Sequence, residues 1–310
     1  MKIVITEFMD EVAVAELAAQ FPTHYDPVLV DQHAQLLERL ADASAIIVRN
    51  RTQVNLAMLD AAPQLRVVGR LGVGLDNIDL VACEARGIAV IPATGANAGA
   101  VAEYVIGTAM ALLREAYTRS AETAAGAWPR TALSNGREIG GKTLGLIGFG
   151  GIGQLTAKLA QGLGVNVIAY DPMLASDASI WAASKVACRS MNELLAEADI
   201  VSLHVPLTTQ TRNLIDKNTL AMMRAGAVLI NTSRGGIVDE QALAEALTSG
   251  QLGGAAIDVF EQEPLPANSA LSTAPRTILT PHIAGVTVES NTKVSALIAE
   301  RVAAHLSKAN

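Results

Sequence analysis

The sequence predicts an α/β protein with parallel sheets, because short runs of β-type residues alternate along the chain with stretches of helical periodicity. Six β-type runs follow one another after residue 142, which is enough for a complete doubly wound sheet. In addition, 50% of the 310 residues are hydrophobic and only 17% are charged, which is typical of a packed globular protein.

The first part of the chain contains four runs that predict strands, each separated from the next by helix-like material. These runs are KIVITEF, SAIIVRN, QLRVVGRL and GIAVIPA. A long helical stretch follows, GAVAEYVIGTAMALLR, which places Val101, Val105, Ala109 and Leu112 on one face.

A second series of strands and helices begins at Lys142, after a polar and irregular segment. Its six predicted strands are TLGLIGF, VNVIAYD, ADIVSLHV, GAVLINT, GAAIDVF and RTILTPH. The last segment, TVESNTKVSALIAERVAAHLSKAN, carries apolar residues at helical spacing and predicts one final helix.

Composition argues against several classes of protein. The net charge of -7 disfavours a nucleic-acid-binding surface, which needs a basic face. No apolar run is long enough to cross a membrane, and early acidic residues disfavour a signal peptide, so we expect a cytoplasmic protein. Five scattered histidines and two separated cysteines, Cys83 and Cys188, predict neither a metal cluster nor a disulfide framework.

The sharpest local motif is GFGGIG, in which Gly148, Gly150 and Gly153 stand between a predicted strand and a predicted helix. This spacing permits a tight turn, a close approach of the backbone to a pyrophosphate, and close packing of helix on strand. The next strand ends at Asp171, where an acid accepts hydrogen bonds from the ribose hydroxyls. Neither Arg nor Lys follows directly, so the predicted cofactor is NAD and not NADP.

Four further polar residues follow predicted strands of the same sheet: Arg234, Asp258, Glu263 and His282. Each has an ordinary structural interpretation as an ion pair, a cap or a loop residue. Their shared position at strand ends instead favours one site, since the carboxyl ends of parallel strands meet at one edge. Hydride transfer at C2 of a 2-hydroxy acid needs a cation for the carboxylate and a group that exchanges the hydroxyl proton. Arg and His meet these two needs.

Larger stretches of the sequence resemble the D-isomer-specific 2-hydroxyacid dehydrogenase family. They are GKTLGLIGFGGIG, LHVPLTTQTRNLI, NTSRGGIVDE, AAIDVFEQEPLP and TPHIAGVTVES, together with VVGRLGVGLDNID and GANAGAVAEYVIGTAMALLR. The resemblance covers nearly the whole chain. It implies two Rossmann-like domains: a discontinuous substrate-binding domain (residues 1–98 and 287–310) and an NAD-binding domain (99–286). It also implies a homodimer formed through the NAD-binding domain.

The resemblance further implies residue roles. Arg234, Glu263 and His282 would form the catalytic triad, with Asp258 in support. The residues expected to contact the cofactor are Gly148, Gly150, Gly151, Ile152, Gly153, Asp171, His204, Val205, Pro206, Thr208, Thr232, Ser233, Arg234, Asp258, His282 and Gly285. Gly151 stands where many members carry Arg or Asn, so one pyrophosphate contact is expected to be missing.

Substrate-binding residues are expected in two segments of the first domain. By resemblance, the backbone of Gly72, Val73 and Gly74 would hold the substrate's carboxylate together with Arg234. Arg49, Asn50 and Arg51 belong to an Arg-x-Arg-Thr stretch that is similar to one in phosphoglycerate dehydrogenases of the family. A solvated basic loop is the alternative, but an Arg suits a second anionic group on the substrate.

The sequence therefore predicts an NAD-dependent dehydrogenase for a 3-phosphoglycerate-like 2-hydroxy acid. A sulfolactate dehydrogenase of the same family fits as well, with a sulfonate in place of the phosphate. The alternative from another class is an NAD(H)-sensing corepressor-like binding protein, because such proteins keep the same Arg, Glu and His. The expected partners are a small anionic substrate and a second copy of the chain, with no nucleic acid, membrane or metal.

Overall fold

The computed structural model describes residues 1–308, which divide into two compact units. One unit comprises Met1–Asn97 and the C-terminal segment from Val286, and the other comprises Ala98–Gly285. Each unit is built on one parallel sheet with helices between successive strands, so the predicted α/β fold is confirmed. The final helix was predicted to continue through Asn310, but residues 309 and 310 lie outside the described residues.

Twelve strands are present among the described residues. In chain order they are β1 (Lys2–Ile5), β2 (Thr23–Tyr25), β3 (Ala43–Val48), β4 (Val67–Arg70), β5 (Ala89–Pro92), β6 (Thr143–Ile147), β7 (Asn166–Tyr170), β8 (Ala187–Cys188), β9 (Ile200–Leu203), β10 (Val228–Asn231), β11 (Gly254–Ile257) and β12 (Thr277–Leu279).

Helices connect nearly all of these strands. In chain order they are α1 (Glu11–Ala18), α2 (His33–Leu40), α3 (Leu56–Asp60), α4 (Leu80–Ala85), α5 (Ala98–Arg114), α6 (Ser120–Ala124), α7 (Gly151–Gly162), α8 (Ser179–Ser184), α9 (Met191–Glu197), α10 (Lys217–Met222), α11 (Glu240–Thr248) and α12 (Val288–Ser307). In the described part of the chain, none of these helices combines the length and apolar character needed to cross a bilayer.

The five-stranded sheet of the first unit has the order β2-β1-β3-β4-β5. Alternate residues of β3 face opposite sides, with Ile46 in one apolar cluster and Ile47 in the other, as the two-residue period of a strand requires. Helices cover both faces, which is the usual environment of a parallel sheet. On one face, Gly69 of β4 leaves room for α12, since a Cβ there would lie 2.9 Å from side-chain atoms of Ile298 and Val302.

The seven-stranded sheet of the second unit has the order β12-β11-β10-β9-β6-β7-β8, and all pairs are parallel. The chain leaves β6 in one direction along the sheet and returns at β9 on its other side. A doubly wound sheet binds its ligands at this switch point, beyond the carboxyl ends of the strands.

The predicted strand counts are each one too low. The sequence predicts four strands in the first part and six in the second, whereas the structure also contains β2 and β8. These two strands have three and two residues, respectively. Segments this short show neither an alternating pattern nor a sustained apolar run, and they pair because a longer strand lies beside them.

Candidate active site

The polar residues predicted for catalysis follow strand ends at the carboxyl edge of the second unit's sheet. Arg234 follows β10, Asp258 directly follows β11, and His282 follows β12. The glycine-rich turn follows β6 at the same edge, with His204 directly after β9. The parallel register of these strands therefore places the predicted site residues of this unit along one edge.

The glycine-rich turn has the geometry that its spacing predicts. Gly148 has a φ of 96°, and a Cβ on it would lie 2.4 Å from the His204 carbonyl oxygen. A Cβ on Gly153 would lie 2.5 Å from the Gly148 carbonyl oxygen, so helix α7 packs closely on the turn. Gly150 is the N-cap of α7 and supplies no side-chain cap, and open space surrounds both Gly150 and Gly151. Uncapped N–H groups beside open space fit a pyrophosphate.

Asp171 lies beside this turn, just after β7. One carboxylate oxygen accepts a 2.8 Å hydrogen bond from the Phe149 N–H, and the other accepts one of 2.9 Å from the Met173 N–H. Asp171 thus anchors the turn, a role that the sequence did not indicate. Each carboxylate oxygen can accept a further hydrogen bond, which fits the predicted contact with ribose hydroxyls.

Several further residues predicted to contact the cofactor follow β9 and β10. The Thr232 hydroxyl is buried and lacks a hydrogen-bond partner among the described residues, as expected of a group that completes its bonding with a bound molecule. The Ser233 hydroxyl donates to the Leu203 carbonyl at 2.6 Å, which ties the two loops together. The His204 ring lies 3.0 Å from the Ser202 hydroxyl, and burial lowers the pKa of His204 to about 4, so the ring is neutral near pH 7.

The predicted acid–base pair is present as a hydrogen bond. His282 Nδ1 lies 2.9 Å from Glu263 Oε2, and the other Glu263 oxygen accepts the Phe260 N–H at 3.1 Å. An ionised carboxylate has no proton to donate, so Nδ1 carries the hydrogen of this bond. The other ring nitrogen, Nε2, is therefore the one available to exchange a proton.

Asp258 fixes the backbone on which His282 sits. Its carboxylate is 1% exposed and accepts hydrogen bonds from the Thr280 hydroxyl at 2.6 Å and from the N–H groups of Ile283 and Ala284 at 2.8 Å. The His282 N–H donates to the Asp258 carbonyl at 2.8 Å. His282 itself has a φ of 58°, a conformation that side chains other than glycine adopt only when their surroundings impose it.

The network extends to helix α5 through two hydroxyl groups. The Tyr104 and Thr280 hydroxyl oxygens are 2.5 Å apart. Because Thr280 donates its single proton to the Asp258 carboxylate, it must accept the proton of Tyr104. Tyr104 and Thr280 were not identified from the sequence, and a Thr before Pro-His at a strand end would have been the signal for the second.

Arg234 lies in a loop that is closely packed against the segment after β11. Its guanidinium donates to the Ser233 carbonyl at 2.6 Å, and the Asn231 amide donates to the Arg234 carbonyl at 3.0 Å. A Cβ on the next residue, Gly235, would lie 1.8 Å from the Phe260 carbonyl oxygen, so only glycine fits there. The loop conformation around Arg234 is thereby fixed by its backbone.

In the first unit, Glu7 organises the segment that begins at Arg49. The buried Glu7 carboxylate accepts the N–H groups of Arg49 and Thr52 on one oxygen, at 2.9 and 3.0 Å, and that of Arg51 on the other, at 3.2 Å. The Asn77 amide donates to the carbonyls of Arg49 and Thr52. Neither residue was identified from the sequence, although an acid directly beyond an apolar strand is a usable signal.

The side chains of Arg49, Asn50 and Arg51 have different surroundings. Arg51 forms an ion pair with Asp31, and Asn50 is exposed. Arg49 instead donates to the Asn291 side-chain oxygen at 2.9 Å and to the Phe8 carbonyl at 3.4 Å, and its guanidinium lies over the Phe8 ring.

The predicted Gly72–Val73–Gly74 segment follows β4, the strand that pairs with β3. It therefore lies at the same edge of the first unit's sheet as Arg49, which follows β3. A Cβ on Gly72 would clash with the Arg70 guanidinium, so a larger residue would displace that side chain.

Comparison with known families gives a match over more than half of the chain. Residues 106–284 match the family described as D-isomer specific 2-hydroxyacid dehydrogenase, NAD binding domain. The (S)-sulfolactate dehydrogenase of Chromohalobacter salexigens is 52% identical over 300 residues, which are 97% of this chain and 96% of that protein.

A D-3-phosphoglycerate dehydrogenase of Methanocaldococcus jannaschii is 40% identical over 268 residues. These are 86% of this chain but 51% of that protein, so the chain spans about half the length of this relative. Among solved structures, an NAD-dependent formate dehydrogenase from Staphylococcus aureus in complex with NAD superposes with a TM-score of 0.83 at 30% identity. The match covers 97% of this chain and 94% of that one.

Proposed function

The chain belongs to the D-isomer-specific 2-hydroxyacid dehydrogenase family, and we propose that it oxidises a 2-hydroxy acid whose second anionic group is a sulfonate. Family membership makes it an NAD-dependent oxidoreductase. The sulfonate specificity is the part that requires argument, since the family includes enzymes for several 2-hydroxy acids.

The hydrogen bond between His282 and Glu263 is the observation that carries the proposed chemistry. In oxidation, His282 Nε2 accepts the proton of the C2 hydroxyl, and the Glu263 carboxylate stabilises the resulting imidazolium. In reduction, the same nitrogen returns the proton. Arg234 holds the substrate's carboxylate and polarises the C2 oxygen through charge-assisted hydrogen bonds. NAD, held by the glycine-rich turn and Asp171, would supply the acceptor for the hydride of C2.

Two observations favour a sulfonate over a phosphate. The relative named (S)-sulfolactate dehydrogenase is 52% identical over 97% of this chain, whereas the D-3-phosphoglycerate dehydrogenase is 40% identical over 86% of it. In addition, Arg51 forms an ion pair with Asp31. Among the described residues, the Arg49 guanidinium forms no ion pair with a carboxylate; its hydrogen bonds go to Asn291 and to the Phe8 carbonyl. A sulfonate carries one negative charge, while a phosphate monoester carries about 1.5 to 2 at pH 7. One guanidinium balances the sulfonate.

Initial rates of NAD reduction test this proposal with a panel of substrates. The panel contains both sulfolactate enantiomers, 3-phosphoglycerate, D- and L-lactate and glycerate. We expect turnover of one sulfolactate enantiomer, with kcat/KM about 10- to 100-fold above the value for lactate, since a charge-assisted contact contributes about 1.5–3 kcal/mol. Arg49→Ala is expected to remove this preference and to leave lactate turnover unchanged. A preference for 3-phosphoglycerate would refute the sulfonate assignment.

The corepressor-like alternative predicts a different result from the same experiment. A protein that only senses NAD(H) would bind NADH and turn over none of the panel. The relatives named as dehydrogenases and reductases support the enzyme. The His282–Glu263 pair does not decide between the two, because the binding proteins keep the same Arg, Glu and His.

The proposal also includes a cytoplasmic homodimer. The exposed aromatic side chains of Tyr117 and Trp128 in the second unit support a protein interface, since large exposed apolar surfaces favour association. The free thiols of Cys83 and Cys188 are compatible with a reducing compartment. Sedimentation equilibrium of the purified protein measures the oligomeric state directly.

A further inference from the structure

We propose that Asn291 is a specificity-determining residue that binds the substrate's sulfonate together with Arg49. This inference rests on the proposed function, because it concerns the second anionic group of the same substrate. Asn291 was not identified from the sequence. It is brought to Arg49 by helix α12, which joins the first unit from the C-terminal end of the chain.

The Arg49 guanidinium is a partly buried cation whose contacts among the described residues are with neutral groups. They are the Asn291 amide oxygen, the Phe8 carbonyl and the face of the Phe8 ring. Burial lowers the pKa of Arg49, which means that its charge is incompletely solvated. An anion is the ligand that restores this lost solvation.

Glu7 is the nearby acid, and its charge raises the pKa of Arg49, although by less than burial lowers it. Its two carboxylate oxygens accept backbone N–H groups of the segment that contains Arg49 and do not form an ion pair with the guanidinium. Glu7 therefore holds the backbone and directs the Arg49 side chain, while the guanidinium keeps N–H groups for another acceptor. A guanidinium has five N–H donors, and the two side-chain hydrogen bonds of Arg49 use two of them.

The orientation of the Asn291 amide follows from its partner. A guanidinium has donors only, so the Asn291 oxygen must face Arg49 and its NH₂ group must point away. No described residue accepts a hydrogen bond from this NH₂ group; the interactions of Asn291 are the Arg49 contact and its helical backbone bond. Two N–H donors thus remain available on the same side-chain amide whose oxygen contacts the Arg49 guanidinium.

This arrangement suits a tetrahedral anion with one negative charge. The three oxygens of a sulfonate are all acceptors and do not bind a proton near pH 7, so each can accept from Arg49 or Asn291. The Phe8 ring, which covers one face of the guanidinium, leaves its in-plane N–H groups for the anion. A small uncharged group at this end of the substrate would gain little, because it would leave the donors of both side chains poorly satisfied.

Steady-state kinetics of three variants of the full-length enzyme test the inference. In Asn291→Ala, the KM for sulfolactate is expected to rise about 10-fold or more, with kcat within about threefold of wild type and lactate kinetics unchanged. In Asn291→Asp, the rise is expected to be larger, since a carboxylate would pair with Arg49 and repel the sulfonate. Thr292→Ala is the matched control in the same helical turn. Its hydroxyl contacts Asp10 and the Val288 carbonyl but not Arg49.

A binding measurement separates failure of this inference from failure of the proposed function. Calorimetric titration of the NAD-saturated enzyme with sulfoacetate, which carries a carboxylate and a sulfonate but no hydroxyl, requires no turnover. We expect Asn291→Ala to weaken sulfoacetate binding about 10-fold or more relative to wild type and Thr292→Ala. Equal binding by wild type and Asn291→Ala, or no binding by wild type, would overturn the role of Asn291 whether or not sulfolactate is oxidised. Tight binding of sulfoacetate by an enzyme that does not oxidise sulfolactate would refute the proposed function alone.

Discussion

Replacing Thr280 by valine should disrupt the support of the catalytic histidine without changing the size of the side chain. The Thr280 hydroxyl donates to a carboxylate oxygen of Asp258 at 2.6 Å and accepts from the Tyr104 hydroxyl at 2.5 Å. Valine keeps the shape and removes both hydrogen bonds. Asp258 would retain the N–H donors of Ile283 and Ala284.

The expected loss of stability can be built from these contacts. The Asp258 carboxylate is 1% exposed, so water cannot easily replace the missing donor, and the charge-assisted bond contributes about 1.5–3 kcal/mol. The Tyr104 hydroxyl also loses its partner, at a cost of about 0.5–1.5 kcal/mol. The free energy of unfolding should therefore fall by about 2–4 kcal/mol in Thr280→Val. Tyr104→Phe, which removes only the outer bond, should lose about 1 kcal/mol.

Urea denaturation followed by tryptophan fluorescence measures this loss in the relevant unit. Both tryptophans of the chain, Trp128 and Trp181, lie in the unit that contains Thr280. Trp181 is buried and stacks on Phe149 at a centroid distance of 4.9 Å, so its emission responds to unfolding of that unit. Thr280→Ser, which restores the hydroxyl, is the control and should recover most of the lost stability.

Activity provides the second readout for the same variants. The His282 N–H donates to the Asp258 carbonyl, and the N–H groups of Ile283 and Ala284 donate to the Asp258 carboxylate. A change in the position of Asp258 should therefore displace the His282 imidazole. We expect kcat to fall about 10-fold in Thr280→Val with NADH affinity unchanged, since small displacements of catalytic groups lower rates strongly. Wild-type stability and kcat in Thr280→Val would refute the view that this network positions His282.

Two further predictions concern the cofactor-binding turn and the response to acid. Asp171→Ala should weaken NADH binding by about 10-fold or more in a calorimetric titration, because a charged acceptor for the ribose hydroxyls is lost; unchanged affinity would exclude the ribose role. Burial lowers the pKa of His204 from 6.5 to about 4. Between pH 4 and 6.5, His204 therefore binds a proton in the unfolded chain but not in the folded protein. The free energy of unfolding should accordingly fall as the pH drops from about 6.5 to 4, and His204 contributes at most about 1.4 kcal/mol per pH unit to this fall. In His204→Gln this contribution should be absent, which urea titrations across the same pH range measure.

The sequence was sufficient to predict the fold class and to locate the longer strands along the chain. Runs such as GAVLINT give strands because all four residues of β10 are buried, and burial on both faces leaves a continuous apolar signal. The strands β2 and β8 were missed because their pairing depends on the neighbouring strand and not on their own residues.

The site was only partly predictable, for a physical reason. Residues with chemical function at strand ends, such as Arg234 and His282, stand out because a polar side chain directly beyond an apolar strand is unusual. Glu7 and Thr280 also follow strands, but their roles, like that of Asn291, depend on contacts with residues distant in sequence, which neither period nor spacing reveals. The Arg51–Asp31 ion pair likewise depends on tertiary contact, although it bears directly on the choice between sulfonate and phosphate.

The central claim, that His282 exchanges the substrate proton with Glu263 behind it, is tested most directly by single-turnover NADH formation in His282→Ala. With sulfolactate and saturating NAD, the variant should form NADH about 10²–10⁴-fold more slowly than wild type, while its dissociation constant for NADH stays the same. Hydride transfer at a near-normal rate in His282→Ala would contradict the account and require another residue as the acid–base group.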